Sequence, residues 1–412
     1  MSRAYLILAD GTVFEGESMG IEGSVIGETV FTTGMTGYLE TLTDPSYFGQ
    51  IVTQTFPLIG NYGTIKEDYE SRKSWVRGYI VRELCEKPSN FRCEGDLDSF
   101  LKEQKIIGIK GIDTRRLTKI LREAGVMNGM IVSGPESEKL KTTGGKLIPE
   151  ASILEKIRSY KIENAVESVQ QVENGKLKTE SFEGGPASPS GVPPFANAHS
   201  LTATSGLHTL PHENEATSQL STLHSPLFVC LYDFGAKANI QRELEKRGCS
   251  VTVVPYNTSA EEVIALSPDG IMLSNGPGDP AENVGIIEEI KKLCEYGKIP
   301  IFGICLGHQM LALARGAKTS KLKYGHRGGN QPVKDLQTGR VFISSQNHGY
   351  AVENDSLPPY AELRFINTND NTCEGIKYTD IPAFSVQFHP EACSGPHDTN
   401  YLFDMFIDMM KK

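Results

Sequence analysis

The sequence predicts an α/β protein in which a β-rich N-terminal domain is followed by an open, mostly parallel α/β domain. Three observations lead to this prediction. Short apolar runs separated by turn residues dominate positions 1–160, strands and helices alternate from position 227 onwards, and a polar segment separates the two patterns. The 412 residues suffice for two domains that each bury a core of their own.

The N-terminal region, residues 1–160, opens with a predicted hairpin. Asp10-Gly11 supplies the positive φ angles of a tight turn between two short apolar runs, 4–8 and 12–14. Asp113 is a suitable N-cap for a helix that runs to Leu121. Further strands are predicted at 51–55, 78–82 and 106–109.

Residues 161–226 are predicted to connect the two domains. Their second part, 183–226, is rich in Ser, Thr, Pro, Gly, Asn and His, and it has few large apolar side chains that could offset the entropy of ordering. We therefore predict a flexible linker there. Four of the nine histidines (199, 208, 212 and 224) belong to it, but their irregular spacing without cysteines favours solvated side chains over a metal site.

The C-terminal region, residues 227–412, follows the pattern of a parallel sheet covered by helices. Helices are predicted through Glu245 and around 286–293. In such sheets ligands bind beyond the carboxyl ends of the strands, so chemistry is expected just after positions 273 and 304. The predicted strands are Leu227–Tyr232, Val251–Pro255, Gly270–Leu273 and Ile299–Ile304.

Cys305 stands after the last of these strands, in the pentapeptide G-I-C-L-G, and a helical run, 308–314, follows. Two glycines around a nucleophile at a sharp strand-to-helix turn expose its side chain at the edge of the sheet, as in acyl-transfer enzymes. The dipole of the following helix favours a thiolate. Most lone cysteines are small buried hydrophobic residues, but this setting favours Cys305 as a catalytic nucleophile.

His389-Pro390-Glu391 supplies the base that a thiol nucleophile needs. Residues two apart in an extended chain project to the same side, and proline disfavours a helix before it. The imidazole of His389 and the carboxylate of Glu391 can therefore act as base and orienting group. The tripeptide is a weak signal alone, and it gains weight from Cys305 in the same domain.

The loop Asn275–Pro280, with the sequence N-G-P-G-D-P, follows the strand that ends at Leu273. Its glycines and prolines indicate a rigid turn whose backbone N–H groups could stabilise an oxyanion. The amide of Leu306, directly after the nucleophile, would be a second donor. A plain structural turn is the alternative for this loop.

Composition and missing motifs exclude several functions. The formal net charge of −10 disfavours a nucleic-acid or anionic-membrane partner. The eight cysteines are scattered without a C-x-x-C pair, which indicates a reduced, cytoplasmic chain. The chain has no phosphate-binding G-x-x-x-x-G-K-[ST] loop, no G-x-G-x-x-G and no H-E-x-x-H, so nucleotide or zinc chemistry is not expected in it.

Several segments resemble known families. Gly303–Gln309, Asn275–Pro280 and His389–Glu391 resemble the class I, or triad-type, glutamine amidotransferases. Other segments resemble the small subunit of glutamine-hydrolysing carbamoyl-phosphate synthetase, so that nearly the whole chain except the linker is covered. These segments are Thr36–Tyr38, Leu42–Tyr47, Phe56–Gly63, Ile112–Arg115, Gly325–Val333 and Gly395–Asp398.

The resemblance implies a β/β/α N-terminal domain, an open α/β amidotransferase domain, and a triad in which Cys305 forms a glutamyl thioester with the help of His389 and Glu391. It implies no metal at the site. The position of Tyr350 usually holds Phe in the family. The residues implied to bind L-glutamine are Ser46, Gly276, Gly278, Leu306, Gln309, Asn347, Gly349 and Tyr350.

Because Ser46 belongs to the N-terminal domain, the site is expected at the interface between the domains. The resemblance also implies a separate large subunit that receives the ammonia and uses ATP, bicarbonate and Mg²⁺ to make carbamoyl phosphate, a precursor for pyrimidine or arginine biosynthesis. No cofactor is expected in this chain itself. The expected assembly is a cytoplasmic heterodimer.

Three alternatives stay open. An amidotransferase of another pathway is disfavoured because such units begin near the equivalent of Leu227 and lack the preceding half. A cysteine peptidase or α/β hydrolase is disfavoured because the glutamine-site residues Gln309, Asn347 and Gly349 would have no function in it. A catalytically silent scaffold that activates a synthetase is disfavoured by the presence of all three triad residue types.

Overall fold

The computed structural model describes residues 2–140, 142–143, 146–173, 176–177, 226–392 and 395–412. Of the predicted linker, 183–226, only the last residue is among them, so that prediction and its four histidines lie outside the described residues. Within the described part of the chain, no helix combines the length and the hydrophobicity needed to cross a bilayer. The domain limits stay predictions.

The N-terminal region forms a closed barrel of seven strands. Its elements are β1 (Arg3–Leu8), β2 (Val13–Gly20), β3 (Ser24–Thr32), α1 (Tyr38–Thr43), β4 (Gln50–Gln54), β5 (Leu58–Ile59), β6 (Gly78–Ile80), β7 (Glu83–Leu84), α2 (Leu97–Glu103), β8 (Ile107–Lys110), α3 (Thr114–Ala124) and β9 (Met127–Ser133). The barrel order is β1-β2-β8-β6-β4-β3-β9, and β5 pairs with β7 beside it.

The local predictions for this region are confirmed. β1 and β2 pair antiparallel around the Asp10-Gly11 turn, in which Gly11 has a φ of 91°. The side chain of Asp113 accepts a hydrogen bond from the amide of Arg116 at 2.9 Å and so caps α3. Apolar residues of the strands and helices form the core of the barrel and pack around it.

A series of short elements follows the barrel: β10 (Thr142–Thr143), β11 (Lys146–Leu147), α4 (Ala151–Ser159), α5 (Ala165–Ser168), β12 (Val172–Glu173) and β13 (Lys176–Leu177). This segment touches both halves of the protein. The Tyr160 hydroxyl donates to the carbonyl oxygen of Gly49 at 2.9 Å, and the amide of Gln171 donates to the carboxylate of Asp233 at 2.9 Å.

The C-terminal region is an open sheet of nine strands with helices on its faces. Its elements are β14 (Phe228–Asp233), α6 (Ala238–Lys246), β15 (Ser250–Pro255), α7 (Ala260–Ala265), β16 (Gly270–Leu273), α8 (Val284–Tyr296), β17 (Ile301–Ile304), α9 (Leu306–Ala314), β18 (Thr319–Asp335), β19 (Val341–Val352), β20 (Ala361–Asn367), β21 (Cys373–Tyr378), β22 (Ala383–Val386) and α10 (Tyr401–Met410). The predicted α/β fold class is confirmed.

The order of this sheet is β15-β14-β16-β17-β22-β21-β20-β18-β19. The first five strands are parallel and form the open α/β unit predicted from the sequence. The remaining pairings are antiparallel, and this extension is not predicted from the sequence. It brings β18 and β19 toward the barrel.

The two halves are in direct contact. The amide of Val126 donates to the carbonyl oxygen of Lys323 at 2.9 Å, and the amide of Ala238 donates to that of Glu70 at 2.9 Å. An ion pair joins Lys321 to the barrel with Nζ 2.6 Å from an oxygen of Glu28. Their relative orientation is thus maintained by an interface and does not depend on the connecting segment alone.

Candidate active site

Cys305 lies at the turn between β17 and α9. Its φ of 52° and ψ of −103° are unusual for a residue with a side chain, and such conformations cost roughly 1–3 kcal/mol. The Cys305 amide donates to the carbonyl oxygen of Val386 in β22 at 2.9 Å, and Sγ lies 3.7 Å from the carbonyl oxygen of Asn347 in β19. The turn thus directs a buried thiol toward the neighbouring strands.

The two glycines around Cys305 are required by packing. A Cβ on Gly303 would lie 2.9 Å from the carbonyl oxygen of Gly307. A Cβ on Gly307 would overlap the carbonyl oxygen of Leu273, because the amide of Gly307 donates to Ser274 at 3.0 Å and draws the helix onto β16. The tight strand-to-helix turn predicted from the sequence is therefore present.

His389 and Glu391 form a buried pair beside the thiol. Nδ1 of His389 lies 2.6 Å from Oε1 of Glu391, and both side chains are at most 1% exposed. Burial by itself lowers the pKa of His389, but the carboxylate of Glu391 and the sulfur of Cys305 raise it above its ordinary value. Glu391 occupies only Nδ1, and the hydrogen bond between His389 and the Cys305 sulfur places the ring within reach of the thiol for proton transfer.

Lys237, which is not among the residues predicted from the sequence, lies next to this pair. Its Nζ is 3.4 Å from Oε1 of Glu391 and 3.7 Å from Oδ2 of Asp44, with 9% of the side chain exposed. Burial by itself lowers the pKa of Lys237, but Asp44 and Glu391 raise it above its ordinary value. The lysine therefore stays charged and links the triad carboxylate to the barrel.

Glu70 completes this buried charge cluster. Its Oε2 accepts a hydrogen bond from the amide of Asn239 at 3.3 Å. Burial raises the pKa of Glu70 to about 7, although the charge of Lys237 acts in the opposite direction. Two of the three carboxylates around Lys237, those of Asp44 and Glu70, come from the N-terminal half, so the surroundings of the triad are shared between the halves.

A cavity of about 410 Å³ opens beside Cys305 at the interface of the halves. Leu306 does not line it, but as the first residue of α9 it has an amide without an intrahelical partner. Besides Cys305, the cavity is lined by seven of the eight residues predicted to bind glutamine, namely Ser46, Gly276, Gly278, Gln309, Asn347, Gly349 and Tyr350.

Ser46 reaches the site through contacts that cross the interface. Its Oγ accepts a hydrogen bond from Nδ2 of Asn275 at 2.9 Å. Oδ1 of Asp44 accepts from the Ser46 amide at 2.9 Å, and its Oδ2 accepts from Nδ2 of Asn347 at 3.2 Å. The expectation that Ser46 belongs to an interface site agrees with this geometry, and Asp44 and Asn275 are the positioning residues that the prediction omitted.

Tyr350 contacts the rest of the site through its backbone and through its side chain, which forms a hydrogen bond with Asp279. The carbonyl oxygen of Tyr350 accepts a hydrogen bond from Nε2 of Gln309 at 2.7 Å, and the same nitrogen donates to Oε1 of Gln387 at 2.8 Å. The ring of Tyr350 lines the cavity, while its carbonyl does not depend on the side chain. A tyrosine in place of the family's usual phenylalanine therefore leaves this contact unchanged.

The loop Asn275–Pro280 packs against the turn that carries the nucleophile. A Cβ on Gly276 would overlap the carbonyl oxygen of Phe234 and lie 2.7 Å from the side chain of Leu306. Gly278 has a φ of 92°, which favours glycine. The close approach of the loop to Leu306 brings its backbone near the thiol.

A second cavity of about 410 Å³ lies on the other side of the triad. Asn347 lines both cavities, and His389 and Lys237 line the second. Its walls also include residues 32–37 of the barrel and 328–330 of β18, with Gly395 and Pro396 near the C-terminus. The triad therefore lies between two cavities.

The residues that could hold a metal ion adjoin the first cavity, and one of them, His348, lines it. Within the described residues, His326, His348 and Glu374 form the one group of three histidine, cysteine or carboxylate side chains that is close enough to share an ion. None of the three belongs to the triad.

Comparison with known proteins agrees with this architecture. The chain is 46% identical over 411 residues to the carbamoyl phosphate synthase small chain of Listeria monocytogenes, covering 100% of this chain and 97% of that protein. It is 47% identical over 405 residues to the protein of the same name from Clostridium perfringens, covering 98% and 99%. The chain belongs to the carbamoyl phosphate synthase small chain family. The resemblance described from the sequence is confirmed.

Two family models divide the chain in the same way as the structure. Residues 6–131 match the carbamoyl-phosphate synthase small chain, CPSase domain, and lie within the barrel. Residues 230–409 match glutamine amidotransferase class-I, and they include Cys305, His389 and Glu391. This member of the small chain family thus carries a glutamine amidotransferase domain, and the site lies where that domain meets the barrel.

Proposed function

We propose that this chain hydrolyses L-glutamine to glutamate and ammonia through a Cys305–His389–Glu391 triad, and that it passes the ammonia to a separate ATP-dependent large subunit for carbamoyl phosphate synthesis. One observation carries the proposal. The buried thiol of Cys305 borders a cavity lined by seven predicted glutamine-binding residues, next to a histidine held by a carboxylate at 2.6 Å.

In the first step, the thiolate sulfur of Cys305 attacks the carboxamide carbon of glutamine. Backbone N–H groups of Leu306 and of the 275–280 loop stabilise the oxyanion, and one such donor contributes typically ~3–4 kcal/mol. The raised pKa of His389 keeps its ring protonated, so Nε2 gives its proton to the departing nitrogen. The C–N bond breaks, ammonia leaves, and a glutamyl thioester remains on Cys305.

In the second step, water hydrolyses the thioester. Neutral His389 takes a proton from the water as its oxygen attacks the thioester carbon, the C–S bond breaks, and glutamate leaves. The thiolate and the protonated ring are restored. Glu391 orients the ring and stabilises its charge in both steps, and Lys237 holds Glu391.

The two cavities suggest separate paths for substrate and product. Glutamine occupies the first cavity, while ammonia released beside His389 leaves through the second cavity, which His389 itself lines. The relatives are named as small chains, which is consistent with a large partner. ATP, bicarbonate and Mg²⁺ would act on that partner, and the chain itself needs no cofactor for the two steps above.

The proposal is tested by measuring glutamate release from glutamine with the purified chain, alone and with the large subunit from the same source. Release that rises with the partner supports a coupled glutaminase. No release in either case would favour the alternative of a silent activating subunit.

Cys305→Ala separates the two activities of the complex. We expect the variant to lose glutamine-dependent carbamoyl phosphate synthesis and to keep ammonia-dependent synthesis, because free ammonia bypasses the thiol. Equal loss of both activities would contradict the role of Cys305.

A further inference from the structure

A buried group of two histidines and a carboxylate adjoins the first cavity, with His348 in the cavity wall. β18 contributes His326, β19 contributes His348, and β21 contributes Glu374, and each is at most 8% exposed. The two rings are nearly perpendicular, at 85°, with centroids 4.9 Å apart. One potential ligand atom from each residue lies within 4.8 Å of the other two. We propose that His326, His348 and Glu374 bind a divalent transition-metal ion of the zinc type.

In each histidine, the ring nitrogen that points away from the group already has a hydrogen-bond partner. Nε2 of His326 lies 2.9 Å from a carboxylate oxygen of Asp370, and Nδ1 of His348 lies 2.7 Å from the carbonyl oxygen of Tyr350. Both oxygens are acceptors, so these two nitrogens carry the ring protons. The inward nitrogen of each ring offers a lone pair to a metal ion once it carries no proton. Histidines that bind metals are commonly oriented in this way.

The inward nitrogens face acceptor atoms. Nδ1 of His326 lies 3.4 Å from Oε1 of Glu374, which also accepts a hydrogen bond from Nδ2 of Asn367 at 3.2 Å. Nε2 of His348 lies 3.1 Å from Oε1 of Gln346. The Gln346 amide is oriented by its Nε2, which donates to Oε2 of Glu374 at 2.9 Å. Two acceptors, the nitrogen of His348 and the oxygen of Gln346, therefore face each other.

A metal cation placed between the nitrogens of His326 and His348 and the oxygens of Glu374 and Gln346 would bind all four acceptors at once. Burial lowers the pKa of His326, but Asp370 and Glu374 raise it to about 9, so without a metal ion a proton satisfies the pair of His326 and Glu374. That proton leaves His348 and Gln346 facing each other. The separations of 3.1 Å and 3.4 Å are close to the ~3.3 Å between neighbouring ligands of a tetrahedral zinc ion with bonds of about 2.0–2.1 Å. Gln346 would supply the fourth ligand through its oxygen.

The site would have a structural role, because its four ligands close the coordination shell and none contacts the thiol. His348 lies between two residues of the cavity wall, Asn347 and Gly349. The carbonyl of Glu374 accepts from the amide of Gln387, whose side chain accepts from Gln309. A metal here would therefore hold β18, β19 and β21 together behind the substrate. This inference does not depend on the proposed glutaminase activity.

The test uses the full chain, treated with a chelator, supplied with Zn²⁺ and passed through a desalting column. Elemental analysis should find about one zinc per chain. Glu374→Gln and His326→Asn should each abolish retention, and Asp370→Asn, which removes the partner of a ligand, should weaken zinc affinity by roughly 10–100-fold. Absence of retained zinc in the unmodified chain would overturn the proposal.

Two controls distinguish this site from other ligands in the chain. Cys305→Ser and His212→Asn should both retain zinc, and loss of zinc in either would place the ion elsewhere and overturn the proposal. If the ligand variants do not fold, the absorption spectrum of Co²⁺ bound to the unmodified chain shows which side chains are the ligands. A tetrahedral spectrum without a thiolate charge-transfer band supports the histidine site, whereas a thiolate band or an octahedral spectrum contradicts it.

Discussion

Replacement of Lys237 by methionine tests the buried charge cluster around the triad. Methionine fills a similar volume but removes the positive charge that lies 3.4 Å from Glu391 and 3.7 Å from Asp44. At an effective dielectric constant of about 20, each contact corresponds to an attraction of about 5 kcal/mol. The cost of burying the lysine offsets part of this attraction, and breaking a buried ion pair typically costs about 3–5 kcal/mol of unfolding free energy.

Lys246→Met is the matched control. Lys246 lies at the other end of α6 and pairs with Glu243 at 2.7 Å, but 63% of its side chain is exposed. Exposed ion pairs contribute about 0–1 kcal/mol, so we expect a loss in that range. Urea unfolding followed by the fluorescence of Trp75, the single tryptophan, and by circular dichroism measures both variants.

The loss in Lys237→Met should also depend on pH. Without the lysine, the pKa of Glu70, already about 7, and that of Glu391 rise, because burial favours their protonated forms. The folded variant then holds protons that the unfolded chain releases, so its stability falls as pH increases. We expect a larger deficit at about pH 8 than at about pH 6. Equal, pH-independent losses in both lysine variants would refute this reasoning.

Two further substitutions test the triad and the cavity wall. Glu391→Gln should lower kcat of glutamine hydrolysis by roughly 10²–10⁴-fold. It should also shift the alkaline limb of the pH–rate profile to lower pH, because the carboxylate that raises the pKa of His389 is lost. An unchanged pH–rate profile would contradict the role of Glu391 in the triad. Tyr350→Phe should change kcat/KM by less than about fivefold, or ~1 kcal/mol, because the carbonyl that accepts from Gln309 is retained and only the hydrogen bond between the hydroxyl and Asp279 is lost. A hundredfold loss in that assay would show that the hydroxyl has a role.

Local sequence patterns predicted those parts of the fold that depend on neighbouring residues. Asp10-Gly11 predicted the first hairpin, and Asp113 predicted the start of α3. The two glycines around Cys305 predicted the tight turn because a side chain at Gly307 would overlap the preceding strand. Each of these features follows from the conformational preferences of a few consecutive residues.

The missed features depend on contacts between distant parts of the chain. Lys237 sits at the start of a helix, where a lysine is usually solvated, and it becomes a buried ion only because Asp44 and Glu391 approach it from two other segments. Its position just after β14 was a usable signal, since the ends of parallel strands form sites. The antiparallel strands β18–β21 likewise pair over long separations, which no local pattern reveals.

Mass spectrometry of the chain after acid quenching during glutamine turnover would detect the glutamyl thioester. We expect the peptide containing Cys305 to carry the added mass of a glutamyl group, and His389→Asn to reduce the rate at which this adduct forms. Steady glutamate release without an adduct on Cys305, or with the adduct on another residue, would contradict the assignment of Cys305 as the nucleophile.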